Sequence, residues 1–185
     1  MPEVFVQDSV LHGQAHVARV VVHVFALVDI LGKETLATQA WAAAFLHDIG
    51  RKHDHVCENH GQYAVQRLAR LPDVQALLQK GGVQPTDWPG IRVAVENHCR
   101  DEIPMSDEHW PLTALLKDAD ALDRVRIGRP KAKYLRFPQT VHLIPFAEAL
   151  FANTNAVISH GPDYFAQLWP VACRLAEQFI PRNLR

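Results

Sequence analysis

Histidine and aspartate stand side by side in FLHDIG, residues 45–50, at the end of an alanine-rich run. Side chains three and four residues apart share a helical face, and by that test the pair is not alone. His16 shares its face with Val20, His47 with Ala43 and Ala44, His60 with Ala64 and Leu68, and His98 with Ala94 and Val95. In LLKDADALD, Asp118 falls between Leu115 and Leu122 and is expected to point inward, whereas Asp120 has Lys117, Asp123 and Arg124 around it, together with Leu116. A buried imidazole or carboxylate costs kilocalories unless something satisfies it. Any one such histidine is most simply a core residue with a hydrogen-bond partner. Several on separate apolar faces point instead to a shared metal. Neutral imidazoles and carboxylates suit Fe, Mn, Co, Ni or Zn. Cys57, Cys99 and Cys173 lack CxxC spacing and are expected to be reduced, structural thiols.

The elements that must position these residues are helical. Apolar positions recur at helical spacing almost throughout, and no run of strict alternation is bounded by turn residues. The fold class expected is all-α, a single helical bundle. Helices are predicted over 13–31, stopping at Gly32, and from an N-cap at Thr35 to the Gly50 stop. Further helices are predicted over 59–71, from Pro72 to Gly81-Gly82, from an Asp87 cap to His98, and from Pro111 through Leu122. Residues 124–139 form a basic connector, and two more helices are predicted at 143–153 and 162–180, the latter bent at Pro170.

The 185 residues, 48% of them apolar, suffice for one sizeable core. A net charge of -1 gives no global field favouring nucleic acid or an anionic membrane, so any affinity for phosphate must be local. The first ten residues lack the pattern of a secretory leader, and no apolar run is expected to span a bilayer. A cytoplasmic location is the default expectation. Of the eleven histidines, His53, His55, His109, His142 and His160 fall where solvated positions are expected. His23 is expected to be a packing or supporting residue, and His12 lies near enough to the first helix to approach the site.

HGQAHVARV, FLHDIG and LLKDADALDRVRIG together resemble the HD superfamily of metal-dependent phosphohydrolases over about residues 11–128. The resemblance implies a ligand set of His16, His47, Asp48 and Asp118. Members with two metals add two more histidines, for which His60 in HGQYA and His98 in ENHCRDEIP are the candidates; the GYP signature of one such group is absent. The helices over 140–185 would complete the pocket.

The function implied by this resemblance is that of a hydrolase cleaving a phosphate ester or anhydride of a small, nucleotide-like molecule. It would use one or two divalent transition metals and metal-activated hydroxide, with Asp48 bridging. Arg51 stands where related proteins carry a lysine and is the first candidate to meet phosphate, with Arg19 and Lys52 next. The connector adds Arg124, Arg126, Arg129, Lys131, Lys133 and Arg136, with Tyr134 as a stacking platform. Asp54, Asp120 or Glu96 could fix the histidine tautomers. Phe146, Phe151, Tyr164 and Trp169 are pocket candidates, though core packing is the simpler role. Two other functions share the ligand set: a mixed-valence di-iron oxygenase, and a nucleotide-binding sensor without turnover. No nucleic-acid or membrane partner is expected, and no oligomeric state is implied.

Overall fold

The computed structural model describes residues 4–7, 9–155 and 163–184, in which there are eight α-helices and no strand. They are α1 (Gln14–Leu31), α2 (Ala37–Leu46), α3 (His60–Leu68), α4 (Pro72–Lys80), α5 (Trp88–Asn97), α6 (Trp110–Leu122), α7 (Ile144–Thr154) and α8 (Tyr164–Phe179). The expected all-α class is what the chain adopts. One apolar cluster draws side chains from all eight helices. Its centre is α2, which packs against α1, α5 and α6. Ala40, Ala42, Ala43 and Ala44 are all fully buried, and their small side chains let three neighbours approach the same short helix.

The helix boundaries reflect local chemistry. Gly32 takes the left-handed conformation, with φ of 60°, and closes α1, a conformation that favours glycine. Thr35 is not an N-cap: it lies inside a 3₁₀ turn, Glu34–Leu36, that leads into α2. Asp87 stands at the N-cap position of α5 as expected, but its carboxylate caps the preceding 3₁₀ turn, Pro85–Asp87, by accepting from the Gln84 N–H, and makes no capping bond to α5. The basic connector is built of three 3₁₀ turns, Asp123–Arg126, Ala132–Tyr134 and Pro138–Leu143. Pro170 lies inside α8. His160 lies outside the described residues.

Contrary to the expectation that no run could span a bilayer, α1 is long and apolar enough to do so by length and composition. Its surroundings explain the apolarity. It packs on α2, α6 and α8, and carries His16, Arg19 and His23 into the interior.

Candidate metal centre

Five helices deliver the cluster, mostly from their ends. His16 lies in the first turn of α1, His47 and Asp48 directly follow α2, His60 opens α3, His98 follows α5, and Asp120 lies in the last turn of α6. All except Asp120 are buried. Two glycines permit the close approach. A side chain at Gly50 would collide with the α3 backbone at Tyr63 and Ala64, and one at Gly61 would collide with the Val95 carbonyl of α5. The contact at Gly61 holds the start of α3 against α5, and thereby His60 against His98.

The histidine tautomers are set from behind. His47 Nδ1 bonds to the Ala44 carbonyl at 2.7 Å, His60 Nδ1 to Cys57 at 2.5 Å, and His98 Nδ1 to Val95 at 2.6 Å. A carbonyl only accepts, so each Nδ1 donates, and each neutral ring presents an unprotonated Nε2 on its other side. His16 is oriented by Asp123, whose Oδ2 accepts from Nδ1 at 2.7 Å. The Nε2 atoms then meet in pairs: His16 and His47 at 3.1 Å, His60 and His98 at 2.7 Å. Two lone pairs at such distances repel unless a positive charge lies between them.

The Asp48 carboxylate joins the pairs. Its Oδ2 lies 3.5 Å from His16 Nε2 and 3.6 Å from His47 Nε2, while Oδ1 lies 3.1 Å from His60 Nε2 and 3.9 Å from His98 Nε2. Desolvation opposes its charge, yet His47, His12, His60 and His16 hold its pKa well below the usual carboxylate range. In each pair of rings the pKa values part. Burial would lower His16, but Asp120 and Asp123 raise it; His47 is lowered by burial. Burial would likewise lower His60, but Asp48 helps raise it to about 10; His98, desolvated beside two other imidazoles, falls to about 3. In each pair one ring is thus pushed toward its charged form and its neighbour toward the neutral one, an arrangement that favours positive charge between them. The chemistry of the donors fits divalent metal at both places.

Asp118 does not join the cluster. It is fully buried, as expected, but its carboxylate accepts from the N–H groups of Arg136 at 2.9 Å and Phe137 at 3.0 Å and from the Thr140 hydroxyl at 2.7 Å. It ties the connector to α6. Asp120 stands in its place: Oδ1 lies 3.3 Å from His16 Nε2, and His16, His47 and Asp120 offer ligand atoms within 4.8 Å of one another. Desolvation opposes its charge, but the hydrogen bond from His16 and that ring's charge hold Asp120 far below the usual carboxylate range.

Asp123, which the sequence pattern did not single out, is the supporting acid, in place of Asp54, Asp120 or Glu96. Its pKa is held at about 2 against desolvation by His16 and Arg19. Arg19 grips it through Nε at 2.6 Å and Nη2 at 3.1 Å, so this guanidinium is buried behind the cluster and does not face a substrate. Arg126 has a similar post, donating to the carbonyls of Leu11 and Asp123 and lying 3.3 Å from His12 Nδ1. His12 does reach the site, with Nδ1 3.0 Å from Asp48 Oδ2. His23 is buried, lies 3.9 Å from Asp123 Oδ1, and finds no hydrogen-bond partner at either nitrogen among the described residues.

A cleft of about 390 Å³ opens beside the cluster, lined by His98 and Asp120 at its floor and by Lys117, Arg124, Arg129, Lys131, Tyr134 and Arg136 around it. Of the connector, Arg124, Arg129, Lys131, Arg136 and Tyr134 line the cleft, whereas Arg126 and Lys133 do not, and neither do Arg51 and Lys52. Arg51 donates to Asp48 Oδ1 at 3.2 Å and to the carbonyls of His53 and His55, while Lys52 lies over the Tyr63 ring. Among the described residues, neither α7 nor α8 contributes a side chain to the lining of this cleft. Phe146 and Tyr164 are core, Phe151 lies under the Arg19 guanidinium, and Trp169 stacks on Phe165. A second cavity, about 280 Å³ and apolar, lies between α1, α2 and α8, with none of the clustered polar residues in its wall.

No family model matches the chain, and no curated protein or solved structure matches it.

Proposed function

We propose that this chain is a metal-dependent phosphohydrolase acting on a small, nucleotide-like phosphate ester or anhydride. The observation that carries the reading is the two pairs of facing Nε2 atoms on either side of one carboxylate, beside a basic cleft that His98 and Asp120 help to line. The ligand set proposed is His16, His47, Asp48 and Asp120 at one position, and His60, His98 and Asp48 at the other. The resemblance of HGQAHVARV, FLHDIG and DADALD to HD phosphohydrolases supports it, with Asp120 taking the role expected of Asp118. Two divalent ions would supply Lewis acidity toward a phosphoryl oxygen and a water-derived nucleophile at neutral pH.

The chain's own groups do the rest. Asp48 holds the two halves in register, and Arg51 fixes its Oδ1. Asp123 and the backbone carbonyls keep the four imidazoles in the ligating tautomer. Arg124 and Lys131, on the cleft wall, are placed to bind the phosphate oxygens, and Tyr134 offers an exposed ring on which a base can stack. His12, whose Nδ1 lies 3.0 Å from Asp48 Oδ2, borders the site.

The test is metal content per chain by plasma mass spectrometry on untagged protein, then phosphate release from a panel of nucleotides. Bound transition metal with phosphate release, both lost in His47→Ala while the helices persist, is the expected result. Activity retained by His47→Ala sinks the assignment. Dioxygen uptake by iron-loaded protein without phosphate release would replace it with the oxygenase reading, and nucleotide binding without turnover with the sensor.

A further inference from the structure

We infer that Cys99 is a thiolate ligand at the second metal position, so that the two halves of the centre differ in donor chemistry. The inference rests on the metal-centre reading above. The first position has four side chains converging on it: His16, His47, Asp120 and, through Oδ2, Asp48. The second has only three among those residues, His60, His98 and Asp48 Oδ1. The sulfur of Cys99 makes up the difference. His60, His98 and Cys99 offer ligand atoms within 4.8 Å of one another, and His98 is almost wholly buried with its Nε2 2.7 Å from that of His60.

The backbone puts the thiol there from both sides. Cys99 directly follows His98, and Sγ donates to the carbonyl of Glu58, two residues before His60, at 3.2 Å. Sulfur therefore bridges the two segments that carry the facing rings. Cys57 contributes its carbonyl to His60, and Cys173 is exposed on α8; neither belongs to such a group among the described residues.

Binding breaks the Cys99 S–H bond and forms a sulfur–metal bond, and the proton leaves to solvent. Two imidazoles, one carboxylate and one thiolate are a four-donor set that suits zinc, cobalt or iron and disfavours manganese and magnesium. The first position, with nitrogen and oxygen only, lacks that bias. The centre is thus built to take a softer ion at the second position than at the first.

X-ray absorption at the zinc edge of zinc-loaded full-length protein tests this directly. With two zinc ions per chain, one sulfur neighbour is expected for every two zinc ions, at about 2.3 Å. That sulfur shell disappears in Cys99→Ser and persists in Cys57→Ser, and Cys99→Ser weakens binding of the second ion at least about tenfold. Cobalt-loaded wild-type protein shows a thiolate-to-cobalt charge-transfer band. Two zinc ions with only nitrogen and oxygen neighbours in the wild type overturn the role of Cys99 while leaving the metal centre intact. Failure of the wild type to retain any zinc or cobalt removes both.

Discussion

Asp118 and Asp120 lie two residues apart on α6, and their carboxylates serve opposite sides of the helix. One accepts hydrogen bonds from Arg136, Phe137 and Thr140, and the other reaches His16 across the metal cluster. Substitution should separate these jobs. Asp118→Ala leaves buried donors without an acceptor and is expected to cost about 3 kcal/mol of stability, read by denaturant unfolding, with metal content retained. Asp120→Ala is expected to lose one metal per chain and the turnover. Equal effects on metal content would mean that the two acids do not divide the work.

Removing the shared carboxylate should be more severe than removing any one ring. Asp48→Asn keeps the shape and takes away the charge between both histidine pairs. Neither ion should survive dialysis, whereas His98→Ala should retain the first. Metal analysis beside far-ultraviolet circular dichroism decides this.

On the cleft wall, Arg124→Ala and Lys131→Ala should act on binding. A charged hydrogen bond to phosphate contributes about 1.5–3 kcal/mol, so KM for the best nucleotide should rise by roughly 10- to 100-fold with kcat little changed. Tyr134→Leu should raise KM for a nucleotide and leave KM for a simple phosphate ester untouched. A fall in kcat alone would remove these residues from substrate binding.

His23 provides a prediction in acid. Its pKa falls from 6.5 to about 4 because burial disfavours the charged ring. As pH drops through 6.5 the unfolded chain takes up a proton that the folded one refuses, so the stability this residue allows is complete above pH 6.5 and is lost progressively toward pH 4. The loss is about 3 kcal/mol. Against wild type, His23→Leu should therefore gain relative stability over that window and show no such gain above it. Parallel denaturant curves at several pH values measure the difference.

Gly61→Ala tests the helix contact that presents His60. The added methyl meets the Val95 carbonyl, and forcing α3 away should cost about 1–3 kcal/mol. The second metal position should weaken and the first should not, as metal titration would show.

Much of this was legible in the residues. The all-α class, most helix spans, the inward-pointing histidines and the basic connector can be read from helical spacing, and the resemblance of the motifs brought the histidines to one site. On α6 the same test failed. Residues 112–119 are buried without interruption, so an inward-facing Asp118 said nothing about which interior it faced. The better signal was the three-residue step from Asp120 to Asp123, which stacks two acids on one face. The fates of Arg19 and Arg51 were hidden for another reason. A guanidinium suits a phosphate and a carboxylate equally, and spacing along the chain does not reveal which one it meets.

The pairing of Arg19 and His16 with Asp123 spans more than a hundred residues. During synthesis, therefore, α1 leaves the ribosome carrying a guanidinium and imidazoles whose counter-ion has yet to be made. Until Asp123 emerges behind α6, that segment is a greasy helix with a charge on its inner face, a natural client for a chaperone. A stalled chain ending before residue 123 should be held by such a helper, and one released after α6 should let go.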